Sequence, residues 1–431
     1  MPKIAFHTLG CKVNQYDTEA MLESFERAGY TVAGENEEAD VYLINTCTVT
    51  GTGDQKSLKL IRRIHREHPN AAIIAAGCLT QRDSESVMLP GVMLAVGVQR
   101  RAEVVELLEK AVRQNMPIDA TQSLRGAKFE SLFVSRHEGK TRATMKIQEG
   151  CDRFCTYCVI PFVRGPVRSM ELSEVAKEAG RLADAGYREI VLTGIHLASY
   201  GRGTNYGLID AVSAVQNVKG VQRIRLGSLE PGIVTDEFAK ALSGLSKVCP
   251  QFHLSLQSGS ASVLKRMHRA YTPEEYLNAA EILRKYFPGC ALTTDVIAGF
   301  PGETEEEAEE TRAFIRKAAF ARIHVFPYSR RSGTVADKLP GQLSEKEKKE
   351  RANQLIEIGN QLELTYVQSL KGTRQTVLFE TALPEGGAEG YTDGYVRVRA
   401  DANPGELTCV TIADTEGTLA IGRKELENGG E

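Results

Sequence analysis

The sequence predicts an α/β protein in three parts: an N-terminal open parallel α/β sheet, a central partial (β/α)6 barrel and a small C-terminal β-barrel. Strand and helix patterns alternate from the start of the chain and alternate again after a break near residue 116. Beyond residue 370 they give way to short strands separated by turns. The domain boundaries expected are 1–115, 143–335 and 367–431, and a chain of 431 residues suits about three domains at roughly 150 residues each.

The first part opens with IAFHTLG (4–10), an apolar strand, followed by an amphipathic helix over 16–28 that Gly29 ends. VYLIN (41–45) is the second strand, and Leu58, Ile61 and Ile64 mark the next helix. AAIIAAG (71–77) and VMLAVG (92–97) are the third and fourth strands, and a helix over 103–114 closes the unit. Cys11, Cys47 and Cys78 each follow directly on one of the first three strands. Ligands of open parallel sheets bind in the crevice beyond the strands' carboxyl ends. Cysteines 36 and 31 residues apart can therefore converge in space. The plain alternative is three buried thiols packing as small hydrophobes.

Residues 116–142 lack periodicity and carry five basic residues (Arg125, Lys128, Arg136, Lys140, Arg142) against three acidic ones (Asp119, Glu130, Glu138), which reads as a linker. The central part then has strand patterns at 145–148, 189–194, 223–229, 252–257, 292–300 and 323–329, with helices such as 173–184 and 273–285 between them. Six β-α repeats suggest a barrel or partial barrel with its site at the strands' carboxyl ends. A charged helical pattern runs over 343–370, and TVLFE, GYVRVRA and LTCVTIA beyond it read as strands of a small barrel.

Composition narrows the function classes. With 53 Lys and Arg against 56 Asp and Glu, the net charge of −3 shows no global basic excess for a nucleic-acid partner, so any such contact rests on local patches. From Val367 onward the chain holds six basic against eleven acidic residues, which sits awkwardly with RNA binding there. The longest apolar run, 71–79, is strand-sized and far short of a membrane span, and the start MPKIAFHTLGC lacks a signal-peptide pattern, so a cytoplasmic location and no membrane partner are expected. Nine cysteines, an odd number, argue against a disulfide framework and for metal binding or catalysis.

The strongest signal is Cys151-Asp-Arg-Phe-Cys155-Thr-Tyr-Cys158, a CxxxCxxC just after the first strand expected of the central barrel. A [4Fe–4S] cluster wants four ligands, and three closely spaced thiolates leave one iron open for chemistry. Zinc is the competing reading, but structural zinc favours a second, matching CxxC pair. Cys249, Cys290 and Cys409 are scattered and read as core or surface thiols.

CxxxCxxC on a β-α barrel resembles the radical S-adenosylmethionine (SAM) superfamily. TLGCKVNQYDTEAM (8–21), INTCTVT (44–50) and AAGCLTQ (75–81) resemble its methylthiotransferases, and residues 367–419 resemble the TRAM RNA-binding barrel of that family. GCKVNQYDTE, NTCTVT and LTGIHLASYG (192–201) resemble the bacterial branch that methylthiolates threonylcarbamoyladenosine in tRNA, more than the branches acting on isopentenyladenosine or on a ribosomal protein.

The resemblance implies that Cys151, Cys155 and Cys158 hold the SAM-cleaving [4Fe–4S] cluster, and Cys11, Cys47 and Cys78 an auxiliary one. One SAM would methylate a sulfur on the auxiliary cluster. A second would be reduced and split into methionine and a 5′-deoxyadenosyl radical, which takes hydrogen from carbon 2 of the modified adenosine beside the anticodon. Partners implied are the tRNA anticodon loop and a low-potential electron donor such as flavodoxin or ferredoxin. From a different class, the rival is a non-catalytic metal-bearing RNA-binding protein.

Weaker candidates complete the expectation. Tyr157 stands where the superfamily's backbone commonly meets the adenine of SAM, and Gly194, Ser228, Gln257 and Asp295 lie at or near strand ends where SAM would contact them. Glu303 in GFPGET (299–304) favours the start of a helix. His253 and His324, inside apolar strands, read as core histidines. RNA contacts are expected from Lys56, Lys59, Arg62, Arg63 and Arg66 along one helix and from Arg164 and Arg168, with a local patch at Tyr391, Tyr395, Arg397 and Arg399.

Overall fold

Apolar, β-branched runs become the strands of the first layer. In the computed structural model, which describes residues 1–34, 37–135 and 141–424, these are β1 (Lys3–Thr8), β2 (Thr31–Val32), β3 (Val41–Thr46), β4 (Ala72–Gly77), β5 (Val92–Val96) and β6 (Ile118–Asp119). They pair in parallel in the order β2-β1-β3-β4-β5-β6, and central β3 is buried at every position. Alternate residues serve opposite faces. Leu43, Ile74 and Leu94 meet Met21 and Phe25 of helix Lys12–Arg27 and Leu108 of helix Val104–Gln114, while Ile44, Ile73 and Ala75 meet Ile61 and Ile64 of helix Gly51–Glu67.

The expected linker is a packed strap instead. Its residues 118–119 form β6, and Ala120, Leu124, Leu132 and Val134 are buried. These residues enter separate clusters, Ala120 the core of the first sheet, Leu124 the contact of Cys78 with Val163, and Leu132 and Val134 the face of Tyr16 and Ala20, so they follow no single period. Arg136, Glu138 and Lys140 of that stretch lie outside the described residues, as do 425–431.

The central strands are β7 (Arg142–Glu149), β8 (Arg168–Ser169), β9 (Glu189–Gly194), β10 (Arg223–Leu226), β11 (Gln251–His253), β12 (Ala291–Ala298) and β13 (Arg322–Pro327). All but β8 run parallel in chain order. Single bridges, Ile224 with Val248 and Leu229 with Leu254, carry the sheet from β10 to β11, and antiparallel β8 lies on the edge of β7. The result is an open arc of six parallel strands. β10 and β11 are shorter than the sequence pattern, because beyond Leu226 and His253 the pairing continues only through single bridges at Leu229, Leu254 and Gln257.

Helix Glu345–Ser369 then packs Ala352, Leu355 and Ile358 into the core of this arc. Five strands follow: β14 (Arg374–Ala382), β15 (Ala388–Thr392), β16 (Arg397–Ala400), β17 (Leu407–Glu416) and β18 (Leu419–Lys424). They close in the order β14-β15-β16-β18-β17 around Val377, Phe379, Val398, Val410 and Ile412. Closure leaves no open sheet edge.

Candidate active site

The first three cysteines meet at the carboxyl end of the first sheet. Cys11 caps helix Lys12–Arg27, Cys47 follows β3, and Cys78 begins helix Cys78–Arg82 after β4. Two backbone positions permit this. Gly10 has φ +109°, and a Cβ there would lie 3.0 Å from Cys47 Sγ; Gly77 has φ +92°, and a Cβ would lie 2.2 Å from Asn45 Oδ1. The Asn14 side-chain amide donates to Leu9 O (2.7 Å) and Thr46 O (2.9 Å), tying the Cys11 and Cys47 turns together. Arg164, fully buried, reaches across from the central domain and donates from Nε to Cys78 Sγ at 3.2 Å. Burial pushes the Cys78 thiol up to about 11 and raises Cys47 as well, with Arg164 opposing both shifts.

Cys151, Cys155 and Cys158 occupy the loop between β7 and helix Ile160–Arg164. The loop is clamped by hydrogen bonds from Cys151 N to Gly165 O (3.0 Å), Thr156 N to Met267 O (3.1 Å) and Ala336 N to Thr156 O (2.8 Å). Arg269 donates from Nη1 to Cys155 Sγ at 3.2 Å and pairs with Glu230 at 3.3 Å. Burial pushes Cys158 up to about 12, and the neighbouring thiols of Cys155 and Cys151 add to the shift.

The donor chemistry fits thiolate-ligated clusters. Each trio presents converging free cysteines with a guanidinium on one sulfur, which suits an anionic centre. No group of three His, Cys, Asp or Glu side chains among the described residues is spaced to hold a single ion. A polynuclear cluster takes its thiolates on separate irons and asks for wider spacing.

A cavity of about 1020 Å³ opens at the strand ends and is walled by all three parts of the chain. Cys11, Gly194, Ser228 and Asp295 line it, together with Thr193 and Arg225 and with Tyr391 and Tyr395 from the small barrel. Tyr157 and Gln257 are not on its wall. The Tyr157 ring packs edge-on against Phe300 at 6.5 Å between centroids. Gln257, at φ +71°, stitches its backbone to β12, donating to Asp295 O (2.9 Å) and accepting from Ile297 N (2.8 Å).

Several sequence expectations are corrected here. His253 and His324 are not core histidines: both line the cavity, their rings 6.1 Å apart, and His253 Nε2 lies 3.3 Å from Asp295 Oδ2. In β13 the exposed residues Arg322, His324 and Phe326 alternate with part-buried Ile323 and Val325, a pattern legible in the sequence that points alternate side chains into the cavity. Arg164 and Arg168 cannot touch RNA, since both are buried. Tyr391 and Tyr395 form no outer patch: Arg142 lies over both rings at 5.0 and 4.9 Å, and Arg397 and Arg399 pair with Glu389 and Glu385. Glu303 precedes the helix Glu305–Ala318 and instead locks its turn, accepting from Gly299 N (3.1 Å) and Arg351 (2.7 Å). Lys56, Lys59, Arg62, Arg63 and Arg66, by contrast, are all exposed along their helix, as the sequence expectation requires of them.

Comparison with known proteins agrees with this arrangement. Residues 145–315 match the radical SAM superfamily, and residues 3–97 match the uncharacterized protein family UPF0004. The chain is 44% identical over 406 residues to the threonylcarbamoyladenosine tRNA methylthiotransferase MtaB of Bacillus subtilis, covering 92% of this chain and 90% of that one. It is 36% identical to the protein of the same name from Aquifex aeolicus, over 95% of this chain and all of the other. Among solved structures, the radical SAM methyltransferase TsrM from Kitasatospora setae shares the fold at a TM-score of 0.57 and 14% identity, covering 82% of this chain and 85% of that one. With relatives this similar along nearly its whole length, the chain belongs to the radical SAM methylthiotransferase family.

Proposed function

We propose that this protein methylthiolates carbon 2 of N6-threonylcarbamoyladenosine at position 37 of tRNA, giving 2-methylthio-N6-threonylcarbamoyladenosine. The observation that carries the reading is one cavity in which Cys11 of the first trio and the strand-end residues Gly194, Ser228 and Asp295 share a wall. The choice of base follows the relatives that share 44% and 36% identity. SAM and an iron–sulfur cluster are the cofactors of this family. The finer assignment is two [4Fe–4S] clusters, one on Cys151, Cys155 and Cys158 and an auxiliary one on Cys11, Cys47 and Cys78. It takes residues 1–115, 143–335 and 367–431 as the methylthiotransferase, radical SAM and TRAM-like domains.

When bound, SAM and the clusters supply the one-electron and sulfur chemistry that no side chain provides. The chain's own residues position and enclose. Arg164 and Arg269 hold one sulfur of each trio by hydrogen bonds, while Asn14 fixes the turns that carry Cys11 and Cys47. Tyr391 and Tyr395 close the cavity from the barrel side. The exposed cations of helix Gly51–Glu67 offer phosphate contacts to tRNA, which give affinity without sequence information. A low-potential donor such as flavodoxin or ferredoxin supplies electrons.

The test is nucleoside mass analysis of tRNA from a host lacking its own methylthiotransferases but making both adenosine precursors. Expression should yield methylthiolated threonylcarbamoyladenosine; methylthiolated isopentenyladenosine alone overturns the substrate. In the same host Cys11→Ala and Cys155→Ala should both abolish the product. The purified Cys11→Ala protein should still cleave SAM and the Cys155→Ala protein should not. A Cys11→Ala variant that kept full methylthiolation would falsify the auxiliary-site assignment.

A further inference from the structure

Four permanently cationic side chains reach the wall of the main cavity: Lys12, Arg225, Arg322 and Arg397. Three are committed. Buried Arg225 donates to Glu189 (2.9 Å) and to Asp393 O (2.8 Å), Arg397 lies 3.3 Å from Glu389, and Arg322 lies 3.6 Å from Glu363. Lys12 is exposed, and among the described residues no carboxylate pairs with it. The acids that line these walls with Lys12 are already used: Asp295 faces His253 at 3.3 Å, Glu363 faces Arg322, and Glu380, on the wall of a smaller adjoining cavity, holds Arg142 at 2.7 Å. Lys12 follows Cys11 directly and lines the same cavity as His324, whose imidazole is held below its usual value chiefly by burial, with Asp295 opposing. Lys12 thus brings to the wall of the cavity, beside Cys11, an ammonium with no carboxylate partner among the described residues.

The N6 groups that distinguish the family's tRNA substrates differ most in charge. A threonylcarbamoyl group ends in a carboxylate, whereas an isopentenyl group is a hydrocarbon. A cation with no internal partner gains a charge-assisted hydrogen bond from the first and none from the second. We propose that Lys12 is a specificity-determining residue that binds the carboxylate of the substrate's threonylcarbamoyl group. This rests on the function proposed above, and the base-edge choice of the site then lies one residue from a cysteine of the first trio.

The test uses the holoenzyme and two anticodon stem-loops that differ in one group, threonylcarbamoyladenosine and its neutral carboxamide. Binding is read by fluorescence anisotropy and turnover separately by mass analysis. The wild type should bind the carboxylate RNA about ten- to a hundredfold more tightly than the amide. Lys12→Met should erase that difference while leaving amide binding, iron and sulfide content and the visible spectrum unchanged; Lys12→Arg should restore most of it. Equal weakening of both RNAs by Lys12→Met marks an RNA phosphate contact and overturns the proposal, as does a wild type that does not distinguish the two. A protein that binds the carboxylate RNA selectively through Lys12 but transfers nothing supports the Lys12 assignment and sinks the reaction assigned above.

Discussion

Arg164 shows what depth does to a charge. Its guanidinium is fully buried, donates to Cys78 Sγ and to Asn14 Oδ1, and meets Glu149 at 2.7 Å and Asp17 at 3.5 Å. Lys146 and Arg101, also buried, hold the same two carboxylates, and Glu130 at the rim pairs with Arg101 at 2.9 Å. Burial alone would raise Glu149, but Arg164, Lys146 and Arg101 hold its carboxyl well below the usual range. Arg164→Met would leave two buried carboxylates short of a cation, and we expect a loss of about 3–5 kcal/mol in stability, seen by calorimetry. Arg164→Lys should recover part of it, since an ammonium cannot match the spread of a guanidinium fork. A variant as stable as the parent would show that the network tolerates the missing charge. The sequence displays Arg164 and Arg168 as surface-like basic residues, because charge is written in the chain and depth is not.

At the scale of elements, helix Leu172–Asp184 meets the strap through Glu178. Tyr16 Oη lies within hydrogen-bond distance of both Glu178 Oε1 (2.7 Å) and Leu132 O, and it has one proton to give. A protonated Glu178 supplies the second, and burial, opposed by the Tyr16 hydrogen bond, pushes this carboxyl up to about 8. The folded state therefore binds a proton that the unfolded chain releases near pH ~4.3. Its contribution is full at low pH and is lost as pH rises from about 4.3 to about 8. Glu178→Gln keeps a donor there without the titration, so the difference in Tm between variant and parent should grow across that interval and level off above it. Parallel melting curves would count against the assignment. The long elements were legible in sequence because runs such as Val41, Tyr42, Leu43 and Ile44 repeat one chemistry over consecutive positions. The two-residue strand β6 and the strap carry too few residues for a period, and their partners are distant in the chain.

At the scale of the molecule, the small barrel is held by three arginines of the central strands. Arg142 and Arg225 flank the Tyr395 ring at 4.9 and 4.7 Å, Arg223 donates to Thr392 O at 2.9 Å, and Arg142 meets Glu380 at 2.7 Å. Tyr395→Ala should cost about 1–3 kcal/mol of this docking. Hydrogen exchange should speed up in β15 and β16 while the first sheet stays protected; unchanged exchange would show that the backbone bonds suffice. The six cysteines were legible because their spacing and strand-end positions are local features. The cavity was not, because its wall is drawn from residues as far apart as Cys11, Asp295 and Tyr395. The same long reach gives the pocket of the first three cysteines a birth order. Leu124 and Val163 pack beside Cys78, and Arg164 bonds its sulfur, so that pocket lacks a wall until the ribosome has synthesised and released residue 164. The first sheet can form early on the nascent chain, yet its cysteines wait for the second domain, and a fragment ending at residue 115 would carry these three cysteines without their chamber.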